Sequence, residues 1–324
     1  MTVDTHQAQR GWTGDAVPDL RSQFIRTTTE LIDTDPRVAV VLAEISAAQF
    51  DEAGERHPDR VINVGIREQL MVSMAGGLAL TGMRPIAHSF GAFVIERAWE
   101  QVKLDLDHQD VGAILVGSYG SYDWPAGGRT HQSPGDVALI DTLSDWVVHV
   151  PGHPAELDAQ LRAAAADDTR VYLRIGGEPN PEAFPTEHDT WSVLRQGSAG
   201  TVVAVGPTLR NVLPAIAGLD VTVLYAPTVR PFDADTLRST LREPRVVMVE
   251  PYLAGTSAAH VARALADLDH RQLGLGVTDP DPHRYGTPAD HDRLHGLDPR
   301  SLRQRISAFL APRLRDTPQI LGDM

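Results

Sequence analysis

The sequence has no cysteine, which excludes disulfides, thiolate zinc sites and cysteine nucleophiles. That fits a reducing compartment, and a cytoplasmic protein is expected. Basic runs are missing as well. With 29 Lys and Arg against 43 Asp and Glu, the net charge of -14 opposes a nucleic-acid or anionic-membrane surface, so neither partner is expected. Nowhere do ~18 apolar residues run together, so no membrane-spanning helix is expected. The polar first residues, 1–19, lack the apolar core of a signal segment and read as a loose N-terminal extension. No internal repeat or low-complexity segment is present.

What is present is a regular alternation. Short β-branched runs at residues 38–45, 61–64, 85–88, 111–117, 146–150 and 171–175 alternate with helical patterns at 66–80, 94–107 and 154–166. Continuous apolar strands joined by helices indicate a parallel sheet covered on both faces. After Arg174 the text turns to GGEPNPEAFPTEHDT, rich in Gly, Pro and acids, which marks a linker. A second series follows, with strands at 201–205, 221–225, 245–249 and 273–278 and helices near 209–217, 257–268 and 299–310. A single hydrophobic core rarely grows to serve 324 residues. The expected fold is therefore α/β with two doubly wound domains, 20–180 and 197–312, joined by a linker at 181–196 and followed by a tail at 313–324.

Ligands of open α/β sheets sit at the carboxyl ends of the strands. That edge should collect Ile45 after the first strand, Glu68 after the second, and Phe90 and Phe93 after the third. A long polar loop follows the fourth strand, GSYGSYDWPAGGRTHQSPGD, and holds His131. One acid and two aromatic rings on neighbouring turns could clamp a flat, nitrogen-containing ring. Each residue also has a plainer reading. Glu68 in a first helical turn favours the helix dipole, Phe90 and Phe93 could be core, and His131 could be a turn residue. Gly76 and Gly77 inside a helix point to close packing against a neighbour.

The segments GIREQLMVSMAGGLALTGMRPIAHSFGAFVIERAWEQV and GGRTHQSPGDVALIDTLSDWVVHVPG closely resemble the pyrimidine-binding domain of the transketolase family. The likeness runs over about residues 20–176, and the second α/β unit resembles the family's C-terminal domain. It implies thiamine diphosphate as cofactor. Glu68 then matches the carboxylate that bonds N1′ of the aminopyrimidine, and Phe90 and Phe93 the rings that stack on it. Ile45 matches the aliphatic support of the bent cofactor, and His131 the histidine that faces the reacting carbons.

The family's diphosphate domain carries Gly-Asp-Gly and a later Asn to hold a divalent metal. The Gly-Asp pairs here begin at Gly14, Gly135 and Gly322 and continue with Ala, Val and Met. The chain thus resembles the C-terminal subunit of a split transketolase. A partner chain is expected to hold Mg2+ and the diphosphate, with no metal site on this chain, in an α2β2 heterotetramer.

At the substrate end the resemblance assigns Arg21, Tyr119, Arg129, His131 and Arg174. Here the sequence departs from the family: Ala48 stands for a serine, Tyr119 for a histidine, Gly127 for an acid, Arg129 for a proline and Glu96 for a tyrosine. The expected activity is transfer of a two-carbon ketol unit from a ketose-type donor to an aldehyde acceptor. The same domain plan serves deoxyxylulose-phosphate synthase and the β-subunit of 2-oxo acid dehydrogenases. A non-catalytic assembly or regulatory subunit is the rival from another class.

Overall fold

The computed structural model describes residues 19–184, 190–281 and 283–311. Apart from Asp19, the 1–19 extension lies outside the described residues, as does the 313–324 tail. Seven strands form the first sheet: β1 (Val38–Leu42), β2 (Val61–Asn63), β3 (Arg84–Phe90), β4 (Ile114–Ser118), β5 (Trp146–His149), β6 (Arg170–Ile175) and, from much later in the chain, β10 (Thr228–Arg230). Their order is β10-β5-β6-β4-β3-β1-β2, parallel except for β10, which runs antiparallel to β5. Chain progression goes outward to β2 on one side of β1 and through β3 and β4 on the other. The topological switch point therefore lies between β1 and β3, where open sheets place their ligands.

The strands are short and nearly continuous in apolar residues because both faces are covered. On one face lie α1 (Leu20–Thr34) and α6 (Pro154–Ala166), which pack Phe24, Ile32, Leu157 and Leu161 on Val40, Ile86 and Leu173. Helix α1 is absent from the sequence-based expectation, because its TTT run masks the apolar stripe. That stripe is Leu20, Phe24, Leu31 and Ile32, and Asp19 caps the helix by accepting from the Ser22 N–H at 2.9 Å. A short α2 (Asp51–Arg56) follows β1. On the opposite face, α3 (Glu68–Leu80) packs on β3. The helix expected at 94–107 is two π-helical stretches, Ala92–Arg97 and Val102–His108, around the short α4 (Trp99–Gln101). Gly76 is needed where that segment passes, because a Cβ there would stand 2.5 Å from the Asp105 carbonyl oxygen. Gly77 meets nothing within 4 Å, so the close packing expected of both glycines holds for Gly76 only.

The second sheet has the order β12-β11-β8-β9-β7. Its strands are β7 (Ser192–Arg195), β8 (Thr201–Val205), β9 (Thr222–Ala226), β11 (Arg245–Leu253) and β12 (Arg271–Val277). The helices are α7 (Leu209–Ala215), α8 (Ala234–Thr240), α9 (Ala258–Ala264), α10 (Pro288–His295) and α11 (Pro299–Leu310), while α5 (Asp136–Ile140) belongs to the first unit. Strand β7 lies within the 181–196 stretch read as a linker and pairs antiparallel with β9. Strand β10 lies inside the second unit's span yet completes the first sheet, covering the edge that β5 would otherwise expose. Accordingly Trp146 and Val148 share one buried cluster with Val203, Val229, Leu237 and Tyr252. Two doubly wound α/β units are thus joined through a common core. Among the described residues no helix is long and apolar enough to cross a membrane.

Candidate active site

Glu68 opens α3 directly beyond β2 and is only 1% exposed. Its Oε1 accepts from Ser89 Oγ at 3.0 Å, and its Oε2 accepts from Arg97 Nη1 at 2.7 Å. A buried carboxylate needs such partners, because an uncompensated charge in the interior is costly. Arg97 in turn lies with Cζ 3.8 Å from the centre of the Phe93 ring. The acid and the aromatic pair are therefore joined through one guanidinium.

Phe90 ends β3 and Phe93 sits on the first π turn, their ring centres 5.5 Å apart and edge to face. Both rings are half-buried. Around them stand Tyr119 at 6.1 Å from Phe90, Trp124 stacked on Phe90 at 5.5 Å, and His131 at 4.9 Å from Phe90 and 5.1 Å from Phe93. Tyr119 holds a left-handed φ of 54° directly after β4, a conformation that costs about 1–3 kcal/mol in a non-glycine residue. His131 Nδ1 lies 2.9 Å from Thr130 Oγ1, which can donate to it or accept from it, and 3.2 Å from the Gly127 carbonyl, a bond that requires the proton on Nδ1. In the neutral ring Nε2 is then a proton acceptor.

Ile45 follows β1 and is half-buried. The strand stops at Leu42, short of the 38–45 expected, because the backbone turns through left-handed Glu44 (φ 75°) and Ser46 (φ 64°). Arg21 Nε donates to Ser46 Oγ at 3.0 Å, and Ser46 lies 3.0 Å from His88 Nε2. Burial, with a smaller push from Arg21, lowers the His88 pKa to about 3, although its bond to the Val116 carbonyl opposes this. The ring is neutral, with its Nδ1 proton on Val116 and Nε2 accepting from Ser46.

The arginines are set apart from the aromatic group. Arg174 is 0% exposed and paired through Nε with Asp136 at 2.7 Å, while Nη2 donates to Ser121 Oγ at 2.6 Å. Burial works against its charge, but Asp136 and Tyr172 raise its pKa above the ordinary arginine value. It lies beneath the site rather than on its surface. Gly120 makes room for it, since a Cβ there would stand 2.5 Å from Nη2. Arg129 is on the rim, donating to the Gln132 carbonyl at 2.7 Å and facing Asp281 at 3.3 Å. Glu96 is half-buried, and burial raises its carboxyl pKa against an opposing pull from Arg129.

Three neighbours have no role in the sequence reading: Ser89, Arg97 and Trp124. Arg97 lies inside the quoted RAWEQ segment, and its four-residue spacing from Phe93 is the available signal. Among the described residues no cluster of three or more His, Cys, Asp or Glu could hold a metal ion.

The family model for the transketolase pyrimidine-binding domain matches residues 17–177, and that for the transketolase C-terminal domain matches residues 189–302. A protein of Rhodococcoides fascians described as an uncharacterized 33.6 kDa protein in the fasciation locus is 48% identical, over 90% of this chain and 95% of that one. The 6-deoxy-6-sulfo-D-fructose transketolase subunit SqwH of Clostridium sp. (strain MSTE9) is 29% identical, over 83% of this chain and 91% of that one. A solved structure described as a split gene transketolase, inactive beta4 tetramer, superposes with a TM-score of 0.80 at 26% identity, covering 91% of this chain and 99% of that one. With both domain models matched in order and split-transketolase subunits similar over most of its length, the chain belongs to the transketolase family.

Proposed function

We propose that the chain is a catalytic subunit of a thiamine diphosphate-dependent transketolase, moving a two-carbon ketol unit from a ketose-type donor to an aldehyde acceptor. The observation that carries this reading is Glu68, a buried carboxylate at the switch-point edge with half-buried aromatic rings beside it. That donor set fits an aminopyrimidine: an acid for a ring nitrogen and rings for its faces. Bound thiamine diphosphate would supply the carbanion and the electron sink for cleaving a bond next to a carbonyl. Glu68 would hold a proton at N1′, a charge-assisted bond strengthened by exclusion of water. Phe90 and Phe93 would stack on the pyrimidine, at about 1 kcal/mol per aromatic contact, and Ile45 would support the cofactor from the β1 edge. His131, with Nε2 as acceptor, would relay protons at the substrate.

Residues 20–180 would form the pyrimidine-binding domain and 197–312 the C-terminal domain. A partner chain would carry Mg2+ and the diphosphate cradle, in an α2β2 heterotetramer of the cytoplasm. The solved relative described as an inactive tetramer of β-chains agrees with a need for a second subunit. At the substrate end, Tyr119, Arg129 and His131 would meet the substrate. Arg21, whose Nε holds Ser46 Oγ, and Arg174, whose Nη1 has no partner among the described residues, would complete the substrate end. Isolation of the native complex tests the proposal. A companion bearing Gly-Asp-Gly, with ketol transfer restored on mixing, is expected; tight thiamine diphosphate binding with magnesium by this chain alone would overturn the split site.

A further inference from the structure

The acid and the ring assigned above to the aminopyrimidine share a third side chain, Arg97. Its Nη1 bonds Glu68 Oε2 at 2.7 Å while its guanidinium covers Phe93 at 3.8 Å. Ser89 takes the other oxygen at 3.0 Å. A carboxylate held by one donor can still rotate about its last torsion, whereas donors on both oxygens fix its plane.

We propose that Arg97 is a positioning residue of this site: it fixes the plane of Glu68, supplies its counter-charge, and braces Phe93 in the same act. This rests on the function proposed above. The local backbone explains how one residue does both. Hydrogen bonds of a π turn run from residue i to i+5, so four residues nearly complete a turn. Arg97, at the end of Ala92–Arg97, is thereby returned over Phe93. Arginine is required because its planar fork can stack and donate at once, while lysine supplies only a point charge. The side chain is 37% exposed, against 1% for Glu68, so it stands between the buried acid and solvent. Other ionisable groups on the elements packed against α3 are engaged elsewhere or face outward. Asp105 accepts from Ser73, Asp107 accepts from Trp146, and His88 bonds Ser46. Glu100, Lys103 and His108 are exposed, and Glu96 faces Arg129.

The test uses the reconstituted complex with Arg97→Met, Arg97→Lys and Glu68→Ala. Three readouts are taken: kcat, the thiamine diphosphate Kd from tryptophan fluorescence, and the urea midpoint. Arg97→Met is expected to lower kcat about 10–100-fold, within the range general acid–base positioning contributes. Arg97→Lys should restore most of kcat while leaving Kd weakened about fivefold, the loss of the stack. Arg97→Met should lower the urea midpoint, because it leaves the buried Glu68 without its counter-charge, while Arg97→Lys stays nearer wild type; if Arg97→Met does not fold, Arg97→Lys decides on Kd. An unchanged Kd and an unchanged kcat in both Arg97 variants overturn the role of Arg97. If Glu68→Ala abolishes transfer while the Arg97 variants are silent, only this inference falls. If Glu68→Ala keeps transfer, the reading of the site falls with it.

Discussion

The two sheets follow one plan and use the same edge differently. At the carboxyl edge of the first sheet, aromatic faces stay half-open, and Glu44, Ser46 and Tyr119 hold left-handed backbone. At the carboxyl edge of the second, the acid is sealed. Glu250 on β11 is 0% exposed and accepts from the Ser257 N–H at 3.0 Å and the Gly255 N–H at 3.1 Å. Burial raises its pKa to about 7 despite those bonds and Arg230. A cleft does open there, between the units, bordered by Tyr122, Thr208, Arg210, Asn211 and Asp292. Its polar groups largely satisfy one another: Asp292 accepts from Tyr122 at 2.6 Å and Asn211 at 3.0 Å. Asp123 is the exception, with burial raising its pKa and no partner for Oδ2 among the described residues. Shared architecture therefore says little about chemistry. What differs is whether the edge keeps its groups available or uses them for docking.

The sharpest test of that contrast is to remove the acid from each edge. Glu68→Ala should lower kcat by about 10²–10⁴-fold in the reconstituted complex with the fold intact, whereas Glu250→Gln should leave kcat within a few-fold and change thermal stability instead. Matching losses of activity would break the comparison. Next in size is the docking contact. Tyr122→Phe strips Asp292 of a buried donor and should destabilise the chain by about 1–3 kcal/mol in urea titrations, with the aromatic group undisturbed. Trp124→Ala removes a 40% exposed ring stacked on Phe90, so stability should hold while substrate KM rises about fivefold. An unchanged KM would place Trp124 outside the working site.

The smallest effect is a difference in pH slope. His88 has its pKa lowered from 6.5 to about 3, so its contribution to stability is present above 6.5 and lost as pH falls towards 3. Glu250 is raised from 4.5 to about 7, so its contribution is present below 4.5 and lost as pH rises through 7. In calorimetry, the deficit of a His88→Gln variant should shrink as pH falls, and that of Glu250→Gln should shrink as pH rises. Parallel curves would deny that burial favours the neutral form of both groups.

Much of this is legible in the sequence. Strand and helix alternation specifies two parallel sheets, and the order of βα turns sends Ile45, Glu68, Phe90 and His131 to one edge. Contacts between residues far apart in sequence are not legible. Arg97 and Phe93 stand four residues apart, a spacing any helical turn brings together, but the bond from Arg97 to Glu68 spans 29 residues of sequence. The burial of Arg174 depends on Asp136, 38 residues away in sequence, whereas resemblance alone suggests a substrate-facing arginine. Strand β10 is only three residues long and finds its partner across two units, a pairing invisible to any local pattern.

That last strand affects how the protein is made. Thr228, the partner of His149, leaves the ribosome 79 residues after it. Until then the sheet bearing the chemistry has a bare edge and an incomplete core, a state open to mispairing. Synthesis order thus makes the second unit a built-in companion for the first. A fragment ending at residue 180 is expected to be less soluble than a chain extended through residue 311.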